Sequence, residues 1–446
     1  MLSGGGAKAS FAWAAGLVLV VALVLRLGFV ALTPGFQIVD DATNYDAHAR
    51  SIATGQGFAL LGPGPTRRTA FRPPGYPVFL AGVYRLEGGG DRPAARERQI
   101  HAGRIANAFV GTAIVALLGL LCAQLFDRRV ALVAMALAAV YVPLVTVSGT
   151  LMSEPLFAAL LLAALAAAVH HRRSRHPLRW ALLAGVLGGL CILTRANAAI
   201  LLVPLAVAVW DLRPRWSRRA LIAPAALVAV ALLTVAPWTV RNARELDAFV
   251  PVTTQLGTSI AGTYNPVSFA DRRNPGSWRS LRRVPQARPL TGPRAWRRTP
   301  EAKLETKLRA FGLAFAEDHP TYVATVAWWN TRRALDLAGL TWARHTASTV
   351  SIGPGWADAG VVAFWIAALL AIAGALTARA RRLPLFVAAV PVLLYLSVVL
   401  LAFETPRYRT GIDPFVVMLA ALALVAGWDA ARRPRSPRAV EGGTTA

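Results

Sequence analysis

Long apolar runs separated by short basic stretches dominate the chain. Ten runs approach the roughly 20 residues that a helix needs to cross a bilayer, and the two shortest meet at Arg195. They cover residues 11–32, 101–125, 130–148, 152–169, 179–195, 197–211, 219–238, 359–377, 383–402 and 411–428. The pattern predicts an all-α polytopic membrane protein. The first run lacks an A-x-A-like cleavage site, so we expect a retained spanning helix instead of a cleaved signal peptide.

The basic residues between the runs predict the orientation, because lysine and arginine in short loops resist translocation. With a cytoplasmic N-terminus, 18 of them fall on the inner side and three on the outer side. The inner ones are Lys8, Arg128, Arg129, Arg172, Arg173, Arg175, Arg179, Arg213, Arg215, Arg218, Arg219, Arg379, Arg381, Arg382, Arg432, Arg433, Arg435 and Arg438; the outer ones are Arg195, Arg407 and Arg409. Both termini are then cytoplasmic.

This topology divides the chain into four regions. Residues 1–238 form a transmembrane core with a first outer loop at 33–100, and residues 239–358 form a second, extracytoplasmic loop region with interfacial helices. Residues 359–428 supply the C-terminal spanning helices, and 429–446 form a basic cytoplasmic tail. We expect the plasma (inner) membrane as the location.

Composition agrees with a membrane protein and argues against other classes. Of the 446 residues, 55% are hydrophobic and only 16% charged, whereas soluble domains have about 25% charged residues. The net charge of +26 comes from arginines between apolar runs, which does not favour nucleic-acid binding. Cys122 and Cys191 lie inside apolar runs, so neither a disulfide framework nor a thiolate metal site is expected.

The first outer loop places acidic residues directly after the first span. Asp40 and Asp41 precede a short helical pattern at 42–54, and the sequence FRPPGYP at 71–77 predicts a rigid turn. Two adjacent carboxylates could cap the helix, since aspartate is a favoured cap. Alternatively, one of them could act as a catalytic base. The apolar run at 76–86 is too short to span a bilayer, so we expect a re-entrant or interfacial segment.

The second outer loop has three parts. Residues 266–300 are rich in Arg, Pro and Gly and predict an irregular surface. Residues 301–317 predict an amphipathic helix. Residues 320–341 combine two tryptophans with several charged side chains, which predicts one helix lying flat on the membrane.

Six short motifs occur in an order that resembles glycosyltransferase family 39, the GT-C-fold relatives of protein O-mannosyltransferases and lipid A aminoarabinose transferase. They are the acidic pair at 40–41, RPPGYP at 72–77, SEPLF at 153–157, LTRAN at 193–197, PWTVRN at 237–242 and ETPRYRTGIDPF at 404–415. The resemblance implies a GT-C bundle of about ten or more spans. It also implies transfer of a sugar from a polyprenyl-phosphate donor to an extracytoplasmic glycan, lipid or protein.

The resemblance also implies roles for individual residues. Asp40 or Asp41 would take the acceptor proton while the other orients the acceptor, and Glu154 would join them as a catalytic acidic residue, with a helix-N-terminal charge as its alternative. Arginine suits the donor phosphate because of its planar fork and permanent charge, with interfacial snorkelling as the alternative. The phosphate-binding candidates are Arg72, Arg407, Arg241, Arg409 and Arg195, and the substrate-contact candidates are Tyr45, Tyr76 and Tyr408.

No histidine pair has metal-ligand spacing, so no metal ligands are assigned, and whether a divalent ion bridges an aspartate and the phosphate stays open. Two other functions compete with sugar transfer. A transporter or lipid flippase would carry charged groups within its spans, and here Arg26 is the main one. A noncatalytic scaffold for envelope assembly would keep the fold without needing the acidic residues.

Overall fold

The computed structural model describes residues 3–60, 67–88, 93–210, 217–291, 299–401 and 405–432, and these are almost entirely helical. The α-helices are α1 Ser3–Leu32, α2 Asp40–Ala53, α3 Gly75–Leu86, α4 Pro93–Leu125, α5 Arg128–Val140, α6 Val142–Ser148, α7 Glu154–His171, α8 Pro177–Thr194, α9 Leu202–Val209, α10 Arg218–Leu246, α11 Gln255–Thr263, α12 Pro266–Ala270, α13 Arg288–Thr291, α14 Glu301–Asp318, α15 Pro320–Ala334, α16 Leu340–Ser348, α17 Pro354–Ala375, α18 Leu385–Val399 and α19 Asp413–Ala431.

Short 3₁₀ turns and one small sheet complete the secondary structure. The 3₁₀ turns are Ala196–Leu201, Leu281–Arg283, Pro285–Ala287, Ala380–Arg382 and Pro406–Gly411. Strands β1 (Ala59–Leu60) and β2 (Arg67–Arg68) pair antiparallel in the first loop, with Ala59 opposite Arg68.

The predicted all-α, multi-pass architecture is confirmed. Within the described residues, seven helices are long and apolar enough to cross a membrane: α1, α4, α7, α8, α10, α17 and α19. The bent pair α5–α6 makes an eighth candidate, and two shorter apolar segments, 196–209 and Leu385–Val399, lie where the sequence predicted the remaining spans. The short spans meet at Arg195, as expected.

One predicted span is interrupted. The apolar run at 130–148 is not one helix, because α5 and α6 meet at Tyr141 with a bend of 59°. The buried Arg26 guanidinium donates to the carbonyls of Ala138 (3.2 Å) and Ala139 (3.3 Å) at the end of α5. The intramembrane charge therefore caps carbonyls that the break leaves without helical partners.

Small residues bring the helices of the core close together. On α8, a Cβ at Gly185 would lie 2.5 Å from the Leu227 carbonyl oxygen on α10, and one at Gly189 would lie 2.8 Å from the Ala231 oxygen. Close backbone approach at residues four apart is typical of membrane helix packing. The core itself is built mainly from α4, α5, α7, α8 and α19.

The first loop forms a compact layer at the end of the bundle where α1 ends. The predicted helix at 42–54 is α2, and the segment too short to span is α3. The buried Asp46 carboxylate on α2 accepts from Tyr84 on α3 (3.0 Å) and from Arg96 on α4 (3.0 Å). These contacts fix α2 to both neighbouring helices.

In the second loop, the amphipathic helix predicted at 301–317 is α14. The single helix expected at 320–341 is wrong: α15 ends at Ala334 and α16 begins at Leu340. Between them Asp336 has φ +54° and Gly339 has φ +93°, which an α-helix does not accommodate. The stretch predicted as irregular contains the short helices α12 and α13 and two 3₁₀ turns. Its residues 292–298 lie outside the described residues, as do residues 433–446 of the tail.

Candidate active site

Helix α2 carries the acidic pair, and its geometry separates the two carboxylates. The N-cap is Val39, and no side chain caps the helix, so neither aspartate acts as a cap. Asp40 is exposed, with φ +45°, and its carboxylate makes no hydrogen bond or ion pair with the described residues. Successive helical side chains point about 100° apart. Asp41 accordingly points into the protein, on the same face as Tyr45 one turn later.

Arg72 follows a backbone segment that the second loop holds in place. The Ala70 carbonyl accepts from the Thr254 amide (3.0 Å), and the Phe71 carbonyl accepts from the Thr253 hydroxyl (2.6 Å). A single carboxylate oxygen of Glu301 accepts from both the Ala70 amide (2.9 Å) and the Thr254 hydroxyl (2.6 Å). With two prolines after it, the Arg72 backbone has little freedom.

Asp41 lies between two arginines that are distant in sequence. Arg72 Nη2 is 2.5 Å from one carboxylate oxygen, and Arg407 Nη2 contacts the other. Arg407 Nη1 is also 3.5 Å from Glu154 Oε1, which in turn is 3.0 Å from Arg195 Nη1. The five side chains form one continuous chain of ion pairs, called here the arginine cluster: Arg72, Asp41, Arg407, Glu154 and Arg195.

The arginine cluster is arranged to accept an anion. It has three positive and two negative charges, and Arg72 is only 6% exposed. The Nε atoms of Arg72 and Arg407 are buried without a hydrogen-bond partner among the described residues. A buried donor without a partner is costly, and a phosphate oxygen would satisfy it. Burial of Arg72 and Arg407 also argues against the snorkelling alternative.

Electrostatics keep the central carboxylate ionised. Burial raises the pKa of Asp41, but the charges of Arg72 and Arg407 outweigh it and hold that pKa well below the usual range. Burial lowers the pKa of Arg72, yet the neighbouring Asp41 reverses this and raises it. Without a ligand, therefore, Asp41 is a weak base locked between two cations.

A cavity of about 160 Å³ opens beside the arginine cluster. Asp41, Tyr45, Arg72 and Arg195 line one side, and Tyr408 lies nearby with its ring 5.0 Å from the Arg195 guanidinium. The other side carries the apolar Leu256, Val398 and Leu401 together with five uncharged polar residues: Asn197, Thr253, Gln255, Ser259 and Ser397. Apart from Asn197, which sits beside Arg195 in the LTRAN motif, the sequence reasoning missed this side. The four missed residues are isolated neutral side chains in two separate segments and carry no recognisable signal.

The structure does not bring every predicted residue to this cavity. Arg409 lies in a separate ion-pair group, 2.8 Å from Asp413 and 3.0 Å from Asp336. Arg241 donates to the carbonyls of Thr69 (2.7 Å) and Phe58 (2.8 Å) and so braces the first loop.

Tyr76 is fully buried behind the cavity. It packs edge-on against Tyr45, with ring centroids 5.0 Å apart, and its hydroxyl accepts from Asn107 (2.9 Å). Tyr45 itself is tied to the cluster through Ser153, because its hydroxyl lies 3.2 Å from the Ser153 hydroxyl, next to Glu154. In the part of the chain that the structure describes, no group of three or more His, Cys, Asp or Glu side chains could hold a metal ion.

Residues 72–240 match the family model described as dolichyl-phosphate-mannose-protein mannosyltransferase. The whole bundle also resembles solved membrane enzymes. The apo oligosaccharyltransferase of Archaeoglobus fulgidus superposes with a TM-score of 0.56 at 14% identity, over 94% of this chain and 51% of that one. The chain has a GT-C fold. The resemblance predicted from the motif order is thus confirmed.

Two further GT-C structures match. The Archaeoglobus fulgidus oligosaccharyltransferase AglB, solved with an inhibitory peptide and a dolichol-phosphate, has a TM-score of 0.55 at 14% identity, over 93% of this chain and 50% of that one. ArnT from Cupriavidus metallidurans, bound to undecaprenyl phosphate, has a TM-score of 0.40 at 16% identity, over 96% of this chain and 80% of that one. The present GT-C chain spans about half the length of the archaeal enzymes that it matches. No curated protein has significant sequence similarity to it.

Proposed function

We propose that the protein is a membrane glycosyltransferase that moves a sugar from a polyprenyl-phosphate donor to an acceptor hydroxyl outside the cytoplasm. The observation that carries this proposal is Asp41 held between Arg72 and Arg407 beside a cavity. This arrangement places a carboxylate that can act as a base, Asp41, next to arginines that can bind an anion. The dolichol-phosphate in the AglB structure supports a lipid phosphate as the anion.

The arginine cluster would hold the donor phosphate. Among the described residues, the Nε atoms of Arg72 and Arg407 have no hydrogen-bond partner, and Arg72 and Arg195 line the cavity. A phosphate entering here would compete with Asp41 and Glu154 for these arginines. Preorganised guanidinium groups would then stabilise the negative charge that develops on the phosphate as the bond to the sugar breaks.

Asp41 would act as the general base. When phosphate draws the arginines away, the pKa of Asp41 moves back towards its ordinary value, and the carboxylate becomes able to take a proton. The acceptor oxygen bonds to the anomeric carbon as its proton passes to Asp41, while the bond from that carbon to the phosphate oxygen breaks and the polyprenyl phosphate leaves. Attack opposite the leaving phosphate inverts the anomeric centre. Asp40, which points away from the cavity, would not take part.

The proposed site lies on the extracytoplasmic face of a plasma (inner) membrane with both termini inside. The charge distribution over the loops supports this orientation. All members of the arginine cluster also come from segments that the sequence places on the outer side. Because the sugar leaves a lipid phosphate, no nucleotide sugar is needed in that compartment.

Separate substitution of the two aspartates tests this proposal. Asp41→Asn should reduce sugar transfer by about 10²- to 10⁴-fold, the usual contribution of a general base, whereas Asp40→Asn should transfer at close to the wild-type rate. The assay combines purified protein in nanodiscs, a labelled polyprenyl-phosphate sugar, and membranes from cells lacking the gene as the acceptor source. Equal activity of both variants and wild type would refute Asp41 as base and favour a noncatalytic scaffold.

The stereochemistry tests the mechanism separately. NMR of donor and product should show opposite anomeric configurations. Retention of configuration would rule out a single displacement. A transporter or flippase would instead move the intact donor across a bilayer without releasing polyprenyl phosphate.

A further inference from the structure

We propose that Gln255 and Ser259 on α11 form a subsite that binds the hydroxyl groups of the donor sugar, and that this sugar is uncharged. The proposal rests on the proposed function and deepens it. It concerns the side of the cavity that faces the arginine cluster.

Helix geometry directs both side chains into the cavity. Residues four apart lie on the same face of a helix, and Gln255 and Ser259 are about one turn apart on α11. Both line the cavity, and neither side chain has a hydrogen-bond partner among the described residues. A carboxamide and a hydroxyl can each donate and accept, which matches the two-way hydrogen bonding of sugar hydroxyls.

A third uncharged group completes the subsite from the bundle itself. Asn197 Nδ2 donates to the Ser397 hydroxyl (2.8 Å), so the orientation of its amide is fixed. Asn197 lines the same cavity, and its side-chain amide oxygen has no hydrogen-bond partner among the described residues. It adds an acceptor on a side that is independent of α11.

Charge is segregated across the cavity. In the described lining, Asp41, Arg72 and Arg195 are the only charged residues, and all three belong to the arginine cluster. Because the donor phosphate would take the arginines and Asp41 would take the acceptor proton, the described lining keeps no further carboxylate for a sugar ammonium group and no further cation for a sugar carboxylate. A buried charge without a partner is strongly unfavourable. The described part of the lining therefore favours a neutral sugar.

Tight packing holds the subsite in position. A Cβ at Gly257 would lie 2.3 Å from the Glu305 carbonyl oxygen on α14, and one at Gly312 would lie 2.7 Å from Ile260 Cγ2. Glycines on both helices thus allow close contact between α11 and α14. Trp278 Nε1 also donates to the Thr258 carbonyl (3.2 Å) on the far side of α11. A rigid wall of this kind can hold hydrogen-bonding groups at fixed distances from the phosphate site.

The test compares binding of lipids with and without a sugar. The purified full chain in nanodiscs is titrated with undecaprenyl phosphate, and with undecaprenyl phosphate bearing mannose, glucose, arabinose, glucosamine or glucuronic acid. Gln255→Ala and Ser259→Ala should each raise the Kd of the best neutral donor by about two- to tenfold, as expected for a neutral hydrogen bond. The Kd of sugar-free undecaprenyl phosphate should stay unchanged, which also shows that the variants are folded. Thr258→Ala, on the same helix but outside the cavity, should bind every lipid as wild type does.

The outcomes separate the subsite from the proposed function. Equal effects of the Gln255 and Ser259 variants on sugar-bearing and sugar-free lipids, or no effect on either, would overturn the subsite while leaving the phosphate site intact. Wild-type affinity for glucosamine or glucuronic acid donors equal to that for the best neutral donor would overturn the neutral selectivity. Gln255→Glu should improve binding of the glucosamine donor relative to the neutral ones. Failure of the wild-type protein to bind any of these lipids would refute the proposed function and the subsite together.

Discussion

Substitution of Arg72 separates a bidentate phosphate ligand from a merely positive side chain. Arg72 has one nitrogen 2.5 Å from Asp41, while its Nε is buried and unpartnered among the described residues. A phosphate that displaces Asp41 from this nitrogen would therefore find a second donor, Nε, on the same guanidinium and could bind both as a fork. A lysine ammonium in the same place keeps the charge but loses the fixed fork. Arg72→Lys should be impaired and Arg72→Ala at least as much.

The magnitude follows from the contact that is lost. A hydrogen bond between charged groups contributes about 1.5 to 3 kcal/mol, so transfer at limiting donor should fall about ten- to a hundredfold. Binding of sugar-free polyprenyl phosphate should weaken by a similar factor, because the lost contact is to phosphate. The measurement is the initial rate of sugar transfer over a range of donor concentrations, with monodispersity as the folding check.

Arg272, an exposed residue of the second loop, provides the matched control. Arg272→Lys and Arg272→Ala should leave both the rate and the lipid affinity unchanged. Wild-type rates for both Arg72 variants at limiting donor would show that Arg72 is not the phosphate ligand, and the role would pass to Arg407 or Arg195.

Three other predictions concern residues around the site. Glu301→Ala should raise the donor KM severalfold with a smaller effect on kcat, because the segment before Arg72 loses its anchor; Glu301→Gln, which keeps an acceptor oxygen, should restore most of the affinity, and equal effects of both variants would argue against this anchoring. In the wild type, the pKa of Asp41 is depressed, so protonation of Asp41 should not lower kcat/KM at any pH above about 5. Arg407→Gln removes one of the two cations beside Asp41 and so should raise the Asp41 pKa, which moves the fall of kcat/KM at low pH to higher pH. An unchanged pH profile would mean that Asp41 is not the titrating base. Arg409→Ala should lower the Tm, since breaking a buried pair costs about 3–5 kcal/mol, while the Kd for polyprenyl phosphate stays unchanged; a weakened Kd would return Arg409 to the phosphate site.

The sequence predicts the helical bundle well because the length of each apolar run can be read from neighbouring residues alone. Each of the ten apolar runs has a helical counterpart, and the junction at Arg195 falls where expected. The break at Tyr141 is different, because the apolar pattern continues through it. Arg26 was the relevant signal, since a charge inside a span needs a partner. Which carbonyls it caps depends on packing between α1 and α5, and a single sequence does not disclose that packing.

The candidate site, like the bundle, could be predicted from the sequence only in part. Motif order pointed to Arg72, Glu154, Arg195 and Arg407, and the structure brings all four together around Asp41. Sequence alone left Asp40 and Asp41 equivalent, because the distinction lies in which face of α2 packs on the bundle. It also grouped Arg407 with Arg409, although these residues, two apart, belong to different ion-pair groups: Arg407 pairs with Asp41 and Glu154, and Arg409 pairs with Asp336 and Asp413. The uncharged wall on α11 could not be predicted because Gln255 and Ser259 resemble ordinary surface residues.

Release of polyprenyl phosphate from a sugar-bearing donor tests the central claim most directly. Membranes containing wild-type protein and membranes containing Asp41→Asn at equal levels are incubated with undecaprenyl phosphate bearing a labelled neutral sugar, and the lipids and acceptors are analysed by mass spectrometry. The wild type should convert the donor to sugar-free undecaprenyl phosphate and leave an acceptor heavier by one sugar, while Asp41→Asn should leave the donor intact. Equal donor consumption in both membranes, or none in either across the neutral sugars, would contradict the account.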